Sequence, residues 1–434
     1  MLQFRRLLGI LSIPRFVWNT DGTLPGASAH SLAKLRLIDF YLKRYFETVA
    51  VNPAMDVLRV TFVDGFCGGG AYSDRGTTVE GSPLVLLGAV EKARSALNEG
   101  RTKPINIDAQ FYFIDSDQTA IEALRENLAK AGHLTRLGHD IHLTRAPFQR
   151  AFPDIKAAIK ARTRGNVGRS VFVLDQKGYT DAPLTLVKDI LESFSGCEVI
   201  LTFAVGWLID YLSDKPQTLK AVAPLGLSEG QIREYLQLKD QRGGRIVIER
   251  LLQQHLRRET GATFSSPFFI RSAEANKDLW IIHLSNHVTA RNVMVEGHWL
   301  IKNNSLHFGT GDFEMMGFDP HLDPASTPDF WFGDYEQELM RERLRDGVLR
   351  RLRDRYASES VEYLTFLREA ANETPARLAD FDHVASLLVD EKQLKLATAD
   401  GQSRRGRRPG RRDLIGIHPQ SSFHFIRHST ETKR

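Results

Sequence analysis

Apolar positions alternate between helical and strand spacing from residue 31 to residue 203, and that alternation predicts the architecture. Leu32, Leu35, Ile38, Tyr41, Tyr45 and Val49 share one face of a helix predicted over 31–50, with Ser31 as its N-cap and Asn52-Pro53 as its stop. Short apolar runs at 60–63, 109–115, 141–144, 170–175 and 198–203 predict strands, and the segments 83–98, 121–131, 153–162 and 184–194 predict the helices between them. Strands and helices in this rhythm imply a parallel, doubly wound sheet with right-handed crossovers. Residues 207–275 read as a mainly helical insertion, 279–284 as a strand added at the sheet edge, and 287–299 as a further helix.

The pattern changes after Phe308. Residues 308–335 are rich in glycine and proline, 336–356 form a charged helix, and 360–417 follow as a small module of helices and two short strands. The implied division is an N-terminal extension and helix (1–59), an α/β domain (60–335), a smaller domain (336–418) and a polar tail (419–434) expected to be disordered.

Strand 60–63 runs into Asp64-Gly65-Phe66-Cys67-Gly68-Gly69-Gly70. Glycines at this density permit sharp turns and close backbone approach to a ligand. At the end of a strand in a parallel sheet, such a loop is where nucleotide-like ligands bind. It is neither a GxGxxG dinucleotide fingerprint nor a P-loop, since no Lys-Ser/Thr follows. Asp115 ends the next strand and is placed to accept hydrogen bonds from a ribose, although an acid there also suits a helix N-cap. Asp175 ends the fourth strand, where a carboxylate can hold an amino group, orient a nucleophile or act as a base. Lys177 and Tyr179 beside it are candidates for positioning a substrate. Lys34, with His30, lies at the start of the first helix, where it can face a ligand.

Net charge is a modest +5, but it is focused: residues 401–412 hold six arginines and no acid. That run lies between two short strands that follow three helices, the layout of a winged helix with a basic wing. Arg404, Arg405, Arg407, Arg408, Arg411 and Arg412, with Arg377 at the start of a preceding helix, are candidate phosphate contacts to nucleic acid. An acidic protein partner and a merely solvated face are the other readings.

Cys67 and Cys197 are the two cysteines, too few and too far apart for a disulfide framework or a zinc site, which suggests a reducing, cytosolic setting. Cys67 in a glycine loop has no identifiable base partner and reads as a small packing residue. The 14 histidines show no HExxH or paired spacing, so no metal is expected. The basic, apolar start of the chain superficially resembles a signal peptide, but Pro14 and Arg15 interrupt it and no small-residue cleavage site follows. No run of 18 apolar residues exists, so no membrane span is expected.

These motifs, in this order, resemble the three-Cys-motif partner protein (TcmP) family. The features shared are the helix with His30 and Lys34, Val63-Asp-Gly-Phe-Cys-Gly-Gly-Gly, Glu80-Gly-Ser-Pro, Phe113-Ile-Asp, Leu174-Asp175 with Gly178-Tyr179, the Trp280 strand leading to 294–299, and Thr374-Pro-Ala with Asp380-Phe. The loop is also similar to the D-x-F-x-G-x-G opening of S-adenosylmethionine-dependent methyltransferases. The resemblance implies a Rossmann-like class I methyltransferase sheet with a C-terminal winged helix. It also implies S-adenosylmethionine as cofactor and a partner that carries a three-cysteine motif and is similar to radical-SAM proteins. Asp64, Gly65, Phe66, Gly68 and Gly70 would form the cofactor loop, with Lys34 and Glu80 nearby and Asp115 as the ribose acid.

Two departures stand out. The family's Asp-Pro-aromatic-Gly is Asp175-Gln-Lys-Gly here, which removes the amide-and-stacking arrangement used on a flipped base. Its Ala-Gly-Pro-Gly is Cys67-Gly-Gly-Gly, a milder change. Two functions follow: a methyltransferase acting on nucleic acid or something bound to it, or a non-catalytic module that keeps the methyltransferase fold and binds nucleic acid and protein.

Overall fold

The computed structural model describes residues 17–19, 21–163, 165–176, 178–272, 277–301, 307–308, 329–330, 333–357 and 359–418. Helix α1 (Ala29–Val49) leads into strand β1 (Val57–Asp64). A hairpin, β2 (Ala71–Asp74) and β3 (Thr77–Glu80), separates β1 from α2 (Ser82–Asn98). Then come β4 (Asn106–Asp115), α3 (Gln118–Lys130), β5 (Ile141–Arg145), α4 (Phe148–Arg162), β6 (Ser170–Leu174), α5 (Leu184–Ser193) and β7 (Cys197–Phe203). A helical stretch, α6 (Val205–Tyr211), α7 (Pro216–Val222), α8 (Glu229–Lys239) and α9 (Gly244–Thr260), precedes β8 (Phe264–Ser272), β9 (Lys277–Ser285) and α10 (Val288–Leu300). A two-residue pair, β10 (His307–Phe308) with β11 (Asp329–Phe330), follows.

The sheet has seven strands in the order β5-β4-β1-β6-β7-β9-β8. Its first five strands are parallel, and β9 is antiparallel to both neighbours. Alternation along the strands explains why both faces are covered. Leu58, Val60 and Phe62 of β1 and Val171 and Val173 of β6 join the core beneath α1, α2, α3 and α10. Val63 of β1, Phe172 and Leu174 of β6, and Val199, Leu201 and Phe203 of β7 join the core beneath α4, α5 and the α6–α9 stretch. Phe62 and Phe172 are both fully buried, each stabilising the fold by about 2–3 kcal/mol. The result is a mixed α/β, mostly parallel, Rossmann-like sheet.

The chain order reverses at β1. It moves outward through β4 and β5, then returns to the other side of β1 with β6 and continues to β7. The loops after β1 and β6 therefore diverge and leave a crevice at the carboxyl ends of these two strands.

Four details differ from the sequence expectation. Helix α1 starts at Ala29, and its N-cap is Ser28, whose hydroxyl accepts from the Ser31 amide at 3.2 Å; Ser31 lies inside the first turn. Residues 71–80 fold as a hairpin, which so short a polar stretch did not announce. Helix α4 starts five residues before Pro153 and keeps that proline within it. Strand β8 lies inside the stretch read as helical, so β8, not β9, forms the sheet edge. Ser265, Ser266 and Pro267 obscured its periodicity, and an edge strand is where a proline is tolerated.

The described residues from 334 onward form a second compact unit. It holds α11 (Asp334–Tyr356), β12 (Val361–Glu362), α12 (Tyr363–Ala370), α13 (Leu378–Asp390), β13 (Leu394–Ala397) and β14 (Leu414–Ile417). The three strands form an antiparallel sheet in the order β12-β14-β13. Met340, Leu344, Phe366, Phe381, Leu388 and Ile415 are buried within the unit. The expected tail, 419–434, lies outside the described residues. No described helix is long and apolar enough to cross a membrane.

Candidate functional site

The crevice is built from β1 outward. The Gly65 amide donates to the Val173 carbonyl at 3.0 Å, which continues the β1–β6 pairing one step past Asp64. The chain then turns toward β4, where the Cys67 amide donates to the Ile114 carbonyl at 2.9 Å. Asp115 fixes the next step: its Oδ2 accepts from the Gly68 amide at 3.0 Å and its Oδ1 from the Asp117 amide at 2.9 Å. Each bond uses one lone pair, and a carboxylate has about four acceptor sites, so Asp115 retains acceptor capacity beside the loop.

The glycines answer to neighbouring side chains as well as to any ligand. Trp18 lies against the loop: a Cβ on Gly69 would stand 2.3 Å from the indole, and one on Gly68 2.7 Å from it. Gly68 and Gly70 also have φ of +56° and +79°, which L side chains rarely adopt. Asn127 of α3 secures the loop from behind, its Nδ2 donating to the Gly69 carbonyl at 2.8 Å. The N-terminal strap is pinned too, with the Ala27 amide donating to the Ser73 carbonyl at 2.8 Å and the Ser73 amide to the Pro25 carbonyl at 2.9 Å. The Trp18 and Tyr72 ring centroids are 5.3 Å apart.

Asp64 is fully buried. Its Oδ1 accepts from the Phe66 amide at 3.2 Å, while Oδ2 has no hydrogen-bond partner. Burial pushes the carboxyl up to about 7; the Ser82 hydroxyl and Phe66 amide oppose this, Asp175 adds to it, and Lys34 opposes it. Lys34 reaches from α1 to form an ion pair with Asp175 Oδ2, the carboxylate just past β6. Two residues 141 positions apart thus meet at the crevice. Burial raises the Tyr72 phenol, and the charges of Asp175, Asp64 and Asp115 raise it further, which places this β2 side chain among the same acids.

Other expected site residues have more structural surroundings. The Phe66 ring lies 6.1 Å from that of Phe148, centroid to centroid. Glu80 ends β3 opposite Ala71, exposed beside the loop. Tyr179 is buried, and its hydroxyl donates to the Ala204 carbonyl at 2.6 Å, so its proton is committed to the backbone. Burial also raises the Tyr179 phenol. Lys177 lies outside the described residues. Gln176 closes the turn after Asp175: its Oε1 accepts from the Ala182 amide at 2.9 Å. The Cys67 thiol is buried and raised well above the usual thiol range, by burial first and then by Asp64 and Asp115, so it is no activated nucleophile. Trp18, Tyr72 and Asn127 join the site without a sequence signal, each through a contact distant in the chain. Ser82 and Gln176 lie in motifs already read, Glu80-Gly-Ser-Pro and Asp175-Gln-Lys-Gly, but the sequence assigned neither a role.

In the C-terminal unit, the arginine run is largely matched by acids. Asp382 is 5% exposed and accepts from the Tyr363 hydroxyl at 3.0 Å, Arg408 at 2.9 Å, and Arg411 at 2.7 and 3.2 Å. Arg404 pairs with Asp413, and Arg407 with Asp390 at 3.2 Å. Arg377 donates to Asp380 at 2.7 and 3.0 Å. Burial raises the Asp380 carboxyl, and Arg377 and Arg341 outweigh that to leave it below the usual range. Among the described residues, Arg405 and Arg412 are exposed and enter no ion pair.

No family model matches the chain, and no curated protein does. Several solved structures share a faint likeness. A putative rRNA-methylase from Clostridium thermocellum is 9% identical, with 56% of this chain and 94% of that one covered and a TM-score of 0.26. The METTL16 MTase domain is 12% identical over 56% of this chain and 66% of its own, also at 0.26. A putative methyltransferase from Streptococcus mutans, solved in complex with SAH, is 13% identical over 56% and 96%, at 0.25.

Proposed function

We propose that the crevice between the loops after β1 and β6 binds S-adenosylmethionine, and that the chain is a methyltransferase-like protein of the TcmP type. The observation that supports this best is the gathering of Asp64, Asp115 and Asp175 at the topological switch point, with a buried oxygen of Asp64 left without a partner. Among the described residues, these carboxylates outnumber the one lysine that meets them, Lys34, which repels a pyrophosphate and suits a ligand with cationic centres. Asp115 would hold the ribose through its remaining acceptor sites. Asp64 would face the ammonium, and the loop backbone of 65–70 would line the floor.

When bound, the cofactor supplies an electrophilic methyl group. The chain's own contribution is alignment: the rigid strand ends and braced loops fix where an acceptor can approach. Asp175, at the start of the loop after β6, can orient an acceptor or take its proton once released from Lys34. Tyr179 does not serve as acid or base, because its hydroxyl is spent on Ala204.

The second reading is a non-catalytic module. The Lys34–Asp175 pair and the Gln176 turn, in place of proline and an aromatic ring, favour it. For either reading we place the acceptor or target on nucleic acid. Three helices and three strands with an arginine-rich loop before the last strand match a winged helix, with Arg405, Arg407 and Arg412 as its most available phosphate contacts. A three-cysteine, radical-SAM-like protein is the partner the resemblance implies.

Calorimetry with S-adenosylmethionine tests the cofactor site: wild type binds, and Asp64→Ala loses at least about tenfold. Equal affinities would sink the assignment. Methyl incorporation into DNA, RNA or protein that disappears in Asp175→Ala selects the enzyme, and its absence with intact binding selects the module.

A further inference from the structure

We infer that the core between α1 and the β7-β9-β8 side of the sheet is a binding site for internal water, held by the hydroxyls of Tyr41, Tyr45 and Ser266 and by Nδ1 of His283. The four side chains are 0%, 3%, 1% and 0% exposed. Among the described residues, none offers any of these four atoms a hydrogen bond. Buried polar groups in folded proteins are paired, with protein or with ordered water, in the great majority of cases.

The four atoms belong to one neighbourhood. His283 of β9 lies directly opposite Ser266 of β8 on one side and Ile200 of β7 on the other. Directly opposed residues share a face of the sheet, and Ile200 belongs to the core beneath α1. Helix α1 lays Tyr41 against His283, with ring centroids 5.0 Å apart, and Tyr45 follows one turn later, 6.3 Å from Tyr41. Burial raises the Tyr45 phenol, Arg169 lowers it and Cys197 raises it, which places that ring beside the starts of β6 and β7. Lys34 is two turns before Tyr41 on the same helix, so the cluster lies about 10 Å along α1 from the crevice.

The donor set decides what is bound. His283 Nε2 is engaged by Glu198 Oε2 at 2.9 Å. A neutral ring that donates there presents Nδ1 as an acceptor, and the three hydroxyls can each donate or accept. The Glu198 carboxylate repels an anion. No group of three or more described acids, histidines or cysteines could hold a metal ion. Water meets the remaining requirement, because it can donate to the imidazole and exchange hydrogen bonds with the hydroxyls. At about three hydrogen bonds for each buried water, four atoms suit one or two molecules.

Two measurements on the full chain test this. A crystal structure should show solvent density within about 3.2 Å of at least two of the four atoms. In denaturant titrations, Tyr41→Phe and Tyr45→Phe should each lower the folding equilibrium constant about two- to tenfold, because each removes a satisfied hydroxyl. A hydroxyl buried without water gives the opposite sign, since phenylalanine relieves its desolvation. Solvent beside fewer than two of the atoms overturns the inference, as does unchanged or increased stability in either variant.

Discussion

Asp64 and Asp382 are both buried carboxylates, and their surroundings are opposite. Asp382, in the C-terminal unit, accepts from a tyrosine and two arginines. Asp64, at the crevice, is eased only by the Phe66 amide and the Ser82 hydroxyl, and its Oδ2 is left unmatched. A saturated acid needs nothing more and is explained by the fold around it. An unsaturated one carries a desolvation cost that the fold alone does not offset. The contrast extends to the neighbourhoods. Charge in the arginine run is mostly consumed within its own unit, whereas the charge of the crevice is left in excess.

The largest expected effect tests the unsaturated side. Burial holds the Asp64 carboxyl near 7 in the folded chain, against 3.8 in the unfolded one. A folded-state value raised in this way penalises the charged form. Stability is therefore lost as pH rises from about 4 through about 7, and the full cost, up to about 4 kcal/mol, is present above that. Asp64→Asn should then be more stable than wild type at pH 8 by a few kcal/mol, with the advantage vanishing near pH 4. Denaturant titrations across that range would show it. A difference that does not change with pH would mean that Asp64 is not strained by its burial.

The saturated side predicts the reverse sign. Asp382→Ala leaves the buried Tyr363 hydroxyl unpaired, while the more exposed Arg408 and Arg411 can turn to water, and should cost about 1–3 kcal/mol. Hydrogen exchange in β13 and β14 should accelerate by about ten- to a hundredfold. Little change would show that the pairs are surface contacts screened by water, and the comparison with Asp64 would lose its meaning.

What was legible in the sequence follows the same division. Asp64, Asp115 and Asp175 could be found because a strand ending in an acid is a local signal, read from period and residue type alone. So could the parallel sheet. Their long-range partners could not. Lys34 and Asp175 are brought together only by the crossing of α1 over the sheet. Residues 401–412 contain no acid, so the run reads as free positive charge, yet Asp382, Asp390 and Asp413 fold onto it from outside. The glycines show the same limit. They read as space for a ligand, and Trp18 takes up part of that space.

That last point is testable at a smaller scale. Gly69→Ala drives a methyl group into the indole and should cost about 1–3 kcal/mol. In a Trp18→Ala background most of that cost should disappear, giving a coupling of about 1–2 kcal/mol in a double-mutant cycle. If Gly69→Ala costs the same in both backgrounds, the glycine answers to something other than the tryptophan.

The smallest effect lies within the arginine run. Arg408 and Arg411 are bound to Asp382, so their replacement by Ala should lower stability and leave the salt dependence of nucleic-acid binding nearly unchanged. Arg405 and Arg412 enter no ion pair among the described residues, so each is available to a phosphate. Arg405→Ala with Arg412→Ala should reduce the slope of log affinity against log salt by about 1.8 on duplex DNA, or about 1.4 on a single strand. The stability of the unit should stay within about 0.5 kcal/mol. Salt titrations of both double variants separate the two halves of the run. If the Arg408/Arg411 variant changes the slope as much as the Arg405/Arg412 variant does, phosphates must outcompete Asp382 for its arginines. The saturated acid would then be a site as well, and the distinction between Asp382 and Asp64 would be one of degree.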